Sequence, residues 1–194
     1  MTPTRQKHRV LTVSATDKFF DFVKETLPND EFELEEPLHS AGEAKRFLIS
    51  AQSDILIINA PLPDDFGIEL STELADSTMG IMLCVKGDIY DQTAYKVEDS
   101  GVLTLGKPLS RQSFYAAVKL LAALSSRLSR MEMKNRSLRE KMEDIRMVNR
   151  AKWLLIENLN MTEKDAHHYI EKQAMDTRFT RREVAENIVR TYDK

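Results

Sequence analysis

The sequence predicts an α/β domain with a five-stranded parallel sheet, followed by a long coiled-coil helix and a small three-helix module. Three observations predict it. Short β-branched runs alternate with helical stretches as far as residue 124. No Gly or Pro interrupts residues 111–150, where apolar residues recur in a seven-residue register. Residues 150–194 fall into short helical stretches separated by capping residues.

Composition sets the bounds. The chain has 194 residues, 42% of them hydrophobic and 30% charged, enough for a buried core in one or two domains. Six Gly and six Pro are too few for a disordered or fibrous chain. One Cys excludes a disulfide framework and a cysteine-built zinc site. No apolar run approaches the ~18 residues of a membrane span, and residues 1–9 lack the apolar stretch of a signal peptide. A cytoplasmic protein with no membrane partner is expected. Charge is divided unevenly. Residues 1–124 hold 12 Lys and Arg against 19 Asp and Glu, whereas residues 125–194 hold 16 against 12. The basic half is the better candidate for a polyanionic partner.

Residues 9–14 are a β-branched apolar run and read as a buried strand. Thr16 or Asp17 caps the next helix, which carries Phe19, Phe20, Phe22, Val23 and Leu27 and stops at Pro28. Residues 31–36 alternate acidic and apolar side chains, as a half-exposed edge strand does. Ser40 opens a helix through Ala44, Phe47 and Leu48. Residues 54–59 hold four consecutive large apolar residues, the pattern of a central parallel strand covered on both faces. Helix 66–74, strand 80–85, helix 90–98 and strand 102–105 complete the alternation. In such a sheet the working site lies at the carboxyl ends of the strands.

Residues 9–124 resemble a response-regulator receiver domain of flavodoxin-like topology. The resemblance is carried by Arg9-Val10-Leu11-Thr12-Val13, by the run from Asp54 through Asn59-Ala60-Pro61-Leu62-Pro63-Asp64, by Ile81 to Asp88, and by Gly106-Lys107-Pro108. The departures fall on the chemistry. Where the family has its phosphoryl-accepting Asp, this chain has Asn59. Where the family has an Mg²⁺-binding acidic pair, it has Ser14 and Ala15. The family's Thr or Ser after the fourth strand corresponds to Cys84, with Val85 the alternative register. Lys107 alone is retained. An amide is not an anionic nucleophile, and Ser with Ala offers no charge to a hard divalent ion. This degenerate site is therefore expected not to be phosphorylated by the usual route. Asp64 and Asp65 lie beyond the strand and read as turn residues. Asn59 either fixes one conformation as an uncharged isostere or serves as a structural amide. Lys107 is expected to hydrogen-bond to it.

A heptad seam runs along residues 111–150, a length of about 60 Å at 1.5 Å per residue. One seam position carries Leu121, Leu128, Asn135, Met142 and Asn149; the other carries Ala117, Leu124, Met131, Leu138, Ile145 and Lys152. Such a stripe predicts a homodimer through a coiled coil, with Asn135 fixing a parallel register. Docking of the stripe on the chain's own C-terminal helices is the monomeric alternative. Met131, Met133, Met142 and Met147 read as seam and packing residues. The expected division is therefore 1–124, 125–149 and 150–194.

In the last segment, Asn160 or Thr162 caps one helix and Thr180, with Glu183 at the reciprocal position, caps another. Ala151, Ala166, Ala174 and Ala185 let the helices approach closely. Residues 150–192 resemble the ANTAR domain of transcription antiterminators, through Ala151-Lys152-Trp153-Leu154-Leu155-Ile156-Glu157, Asn160 to Ala166, Ala174 to Arg178, and Arg182-Glu183-Val184-Ala185. Trp153 departs from the family's small residue and reads as added packing. The resemblance implies binding of paired stem-loops in a nascent leader transcript, preventing a terminator hairpin. The polar residues available for RNA are Lys152, Lys164, Arg178, Thr180, Arg181 and Arg182, the arginines clustering at a helix N-terminus. Tyr169 and Phe179 are suited to base stacking but more often belong to a core. His167 and His168 point to different helix faces, so no metal site is expected, and no catalytic residue or cofactor either. The expected function is RNA-binding antitermination, controlled by a regulatory protein or small-molecule signal rather than by phosphorylation. The alternatives are a receiver-effector DNA-binding regulator and an interaction scaffold. No helix-turn-helix pattern supports the former.

Overall fold

The computed structural model describes residues 7–193. Residues 1–6 and 194, which the expected outer domains and the signal-peptide reading include, lie outside the described residues. The chain divides into two compact units, Met1–Met131 and Glu132–Lys194.

The first unit is a parallel sheet of β1 (His8–Ser14), β2 (Phe32–Leu34), β3 (Ile55–Asn59), β4 (Gly80–Lys86) and β5 (Leu103–Lys107), in the order β2-β1-β3-β4-β5. Between the strands lie α1 (Asp17–Thr26), α2 (Ala41–Ser50), α3 (Ile68–Glu73) and α4 (Tyr90–Val97). β3 is fully buried from Ile55 to Ile58, as a central strand covered on both faces must be. The pleat sends alternate residues to two cores. Leu11, Val13, Leu56, Ile58, Leu83 and Val85 fill one side, and Val10, Ile55, Ile57, Met82 and Cys84 the other.

β2 is the edge strand, as expected, but it ends at Leu34 rather than residue 36. Pro37 has no N–H to continue a ladder, and pairing resumes only at the Val13–Leu38 bridge. β5 runs two residues further than the apolar pattern suggests, because Gly106 and Lys107 pair with Val85 and Lys86.

The helix α5 (Arg111–Leu159) is a single element of 49 residues that contributes to both units. In the first, Phe114, Val118, Leu121 and Ala122 are buried against the sheet, with Phe114 edge-on to Phe22 at 5.1 Å. This corrects the expected seam at one end. Leu121 is 2% exposed and belongs to the domain's own core, so it is not free for a partner helix. Its neighbour Ser125 is buried as well. Ala117 likewise packs against that core and Lys152 is half-buried, whereas Leu124, Leu128, Met131, Asn135, Leu138, Met142, Ile145 and Asn149 are exposed.

In the second unit the end of α5 packs with α6 (Glu163–Thr177) and α7 (Arg181–Tyr192). Ala151, Ala166 and Ala185 are fully buried, beside Leu155, Ile170 and Val184. Thr162 caps α6 by accepting from the Asp165 N–H at 3.2 Å, and Asn160 takes a left-handed backbone (φ 49°) just before it. Thr180 and Glu183 form the reciprocal capping box of α7. The link from α6 to α7 is short, since α6 continues to Thr177 and Arg178 makes a left-handed cap (φ 59°).

A methyl group at Gly80 would lie 2.9 Å from Leu121 Cβ and 3.1 Å from its carbonyl oxygen. Gly80→Ala therefore overpacks the contact between β4 and α5. It is expected to destabilise the first unit by about 1–3 kcal/mol in urea titration.

Candidate nucleic-acid interface

The carboxyl ends of the sheet carry the residues expected to form the degenerate site. The parallel register sets Ser14 beside Asn59 and Asn59 beside Cys84. Asn59 Nδ2 donates to Ser14 Oγ at 3.0 Å, and Ser14 Oγ donates to the Thr16 carbonyl at 2.9 Å. Asn59 Oδ1 is buried without a hydrogen-bond partner. Ala15 is exposed and carries no polar side-chain atom. Lys107 does not reach Asn59 as expected; its Nζ donates to the Ala60 carbonyl at 2.7 Å. Burial, with like charge from Lys86, lowers its pKa against the opposing effect of Cys84. Burial likewise pushes the Cys84 thiol up to about 12. Ser14, Ala15 and Asn59 thus present no negative charge, and Ser14 already spends its hydroxyl on protein partners. These residues do not fit Mg²⁺. Among the described residues no group of three or more His, Cys, Asp or Glu side chains is placed to hold a metal ion.

Asp64 and Asp65 are turn residues, as expected, but with defined tasks. Asp64 accepts from the Ala41 and Gly42 N–H groups at 2.8 and 2.9 Å, capping α2 from outside the helix. Those two bonds, led by Gly42, hold its carboxyl below the usual range. Asp65 accepts from the Leu70 N–H at 2.9 Å. His39 was not singled out in the sequence. Its Nδ1 lies 3.1 Å from the Ser14 carbonyl oxygen, so it too sits at the end of β1.

In the second unit, four of the six expected RNA residues converge. Lys152, Thr180, Arg181 and Arg182 line one open groove of about 1030 Å³, together with Ile145 and Val148. Each cation is already paired. Lys152, only 16% exposed, donates to Glu163 at 3.1 Å. Arg181 meets Glu171 at 2.8 Å. Arg182 reaches Asp144 at 2.7 Å and Glu186 at 2.9 Å, and both carboxylates hold its guanidinium more firmly protonated. Thr180 is committed to the capping box, whose backbone and hydroxyl donors keep Glu183 below the usual carboxylate range. Lys164 and Arg178 stand apart from the groove lining, exposed and without an ion pair among the described residues. Three aromatic side chains differ from expectation. Trp153 is 68% exposed rather than packed, and Tyr169 and Phe179 lie outside the core.

Residues 136–189 match the ANTAR domain family. The C-terminal unit is an ANTAR domain. Its match reaches back into the segment that the sequence assigned to dimerisation alone, because the end of α5 supplies the domain's first helix. The chain is also 27% identical over 168 residues to the transcriptional regulatory protein PdtaR of Mycobacterium tuberculosis, covering 86% of this chain and 82% of that one. The first unit is similar to the signal receiver domain of an HD domain-containing protein from Pseudomonas fluorescens Pf-5. That likeness has a TM-score of 0.58 and 20% identity, over 68% of this chain and 97% of that one. A CheY-like receiver domain protein from Methanospirillum hungatei JF-1 gives a TM-score of 0.55 at 17% identity, over 63% and 98%. A receiver fold thus precedes an ANTAR domain, the composition of a transcription regulator; these matches are regulatory rather than enzymatic. No helix among the described residues is long and apolar enough to cross a membrane.

Two measurements check the receiver-fold site. With its thiol pushed up to about 12, Cys84 should ignore a disulfide reagent at pH 8 in the folded protein and react fully in urea. The depressed folded-state pKa of Asp64 means that its stabilising contribution is present above the ordinary carboxylate pKa. It is lost as pH falls through the lowered folded value. Asp64→Asn should therefore be less stable than the parent at pH 7, with the gap closing as the pH approaches 3 in paired urea titrations.

Proposed function

We propose that this ANTAR protein is an RNA-binding transcription antiterminator that grips stem-loops in a nascent leader transcript. The observation that carries the reading is the convergence of Lys152, Arg181 and Arg182 on one groove of the ANTAR domain. Phosphates bind there by replacing the carboxylates that now hold these cations. For the exposed Arg182 each such ion pair contributes at most about 1 kcal/mol, so the exchange there costs little against release of counterions from RNA. The mixed apolar and basic character suits an RNA loop, whose bases are splayed and whose phosphates surround them.

The exposed face of α5 supports a dimer. Leu124, Leu128, Met131, Leu138 and Met142 form a stripe that a second copy covers, with Asn135 pairing to its equivalent, while Ile145 beyond them lines the groove. Two ANTAR domains on one dimer hold two linked hairpins, so the second contact gains from effective concentration. Holding the transcript in that form denies its strands to a terminator hairpin. Control passes through a partner protein or small ligand, since Asn59 offers no nucleophile for a phosphoryl group.

A gel shift with a two-hairpin RNA, against matched duplex DNA as competitor, tests this reading. Specific retention of the RNA is expected; preference for the duplex would favour a DNA-binding regulator instead. Arg181→Ala should weaken RNA binding and reduce the salt slope by about 1. Glu171→Gln, which frees Arg181 and removes a competing anion, should tighten it. Incubation with acetyl phosphate and Mg²⁺ should leave the intact mass unchanged, and light scattering should report a dimer.

A further inference from the structure

Beside the groove, a second depression of about 840 Å³ opens at the junction of α6 and α7. Phe179 and Met175 form its apolar surface, 51% and 76% exposed. Lys172, His168 and Arg181 are its basic members, and Glu171 and Asp176 its acidic ones. Isolated surface apolar residues need no explanation. Here two large ones share a depression that a cation, Arg181, also shares with the candidate phosphate groove.

The backbone leading into it is also unusual. Arg178 caps α6 with φ 59°, a conformation that favours glycine. An arginine there bears the conformational cost and places a cation without an ion pair next to Phe179 in the chain. Backbone of this kind in a non-glycine residue clusters at ligand sites.

We propose that this depression receives one unpaired nucleobase from the RNA loop, stacked on the ring of Phe179, making Phe179 an RNA-contacting residue of the ANTAR domain. The inference rests on the RNA reading above and deepens it. The charge pattern distinguishes a base from a phosphate. Glu171 and Asp176 offset Lys172 and Arg181, so an anion inside the depression gains no net attraction in return for the water it gives up. An uncharged base meets no such penalty, and Asp176, which has no ion pair among the described residues, can accept a hydrogen bond from an exocyclic amino group. The phosphates on either side of the flipped nucleotide then meet Arg181 and Lys172 at the rim. Stacking of a base on an aromatic ring contributes about 1–3 kcal/mol and carries no charge.

The test uses the full chain and a stem-loop RNA with 2-aminopurine placed in turn at each loop position. One position should be quenched on binding to the parent protein. Phe179→Ala should lose that quenching and bind roughly tenfold or more weakly, with the salt slope unchanged. Phe179→Trp should keep both affinity and quenching. The variants should match the parent in circular dichroism, because the ring is half exposed. If the parent binds the stem-loop and Phe179→Ala matches it in affinity and quenching, the stacking site is wrong while the RNA reading stands. A fall in salt slope in Phe179→Ala would mean that the ring acts only through its cationic neighbours, and would also overturn the site. If the parent binds no stem-loop RNA, both readings fail.

Discussion

Close approach of three helices governs the C-terminal half. Ala151, Ala166 and Ala185 are fully buried where α5, α6 and α7 meet. Methyl groups at those positions let the helix backbones come near enough for Lys152, Thr180, Arg181 and Arg182 to surround one groove. A larger side chain at any of them would spread the helices and separate the cations. The acidic partners follow from the same closeness. Asp144 on α5 reaches Arg182 on α7, and Glu171 on α6 reaches Arg181. The basic surface is therefore held in a self-neutralised form.

At the other end of the chain, register does the equivalent work. Parallel pairing puts Ser14, Asn59 and Cys84 side by side across three strands. In that line the amide donates to the hydroxyl, and the thiol is buried and protonated. Lys107, with no anion to meet, turns to the Ala60 carbonyl. The line is electrically quiet.

One helix serves both halves. Toward its start α5 buries Phe114, Val118, Leu121 and Ala122 in the receiver-fold core, and toward its end it buries Ala151 and Leu155 in the ANTAR core. Between them it exposes an apolar stripe. A single heptad register cannot distinguish these environments, because a residue facing its own sheet and a residue facing a partner helix have the same period. That is why Leu121 falls in the predicted seam and yet lies against Gly80.

The sequence by itself determined the order of the elements, the parallel sheet with its acidic edge strand, the capping box at Thr180, and the loss of charge at positions 14, 15 and 59. These are local: period, capping chemistry and residue type act within a few neighbours. Only the tertiary structure decided which cations are paired, since Asp144 and Arg182 are far apart in the chain. It also decided that Lys107 meets Ala60, and that Trp153, Tyr169 and Phe179 face solvent. Helical spacing says that an aromatic residue lies on a face. Whether that face meets a core depends on how close the other helices come, and the small alanines set that distance.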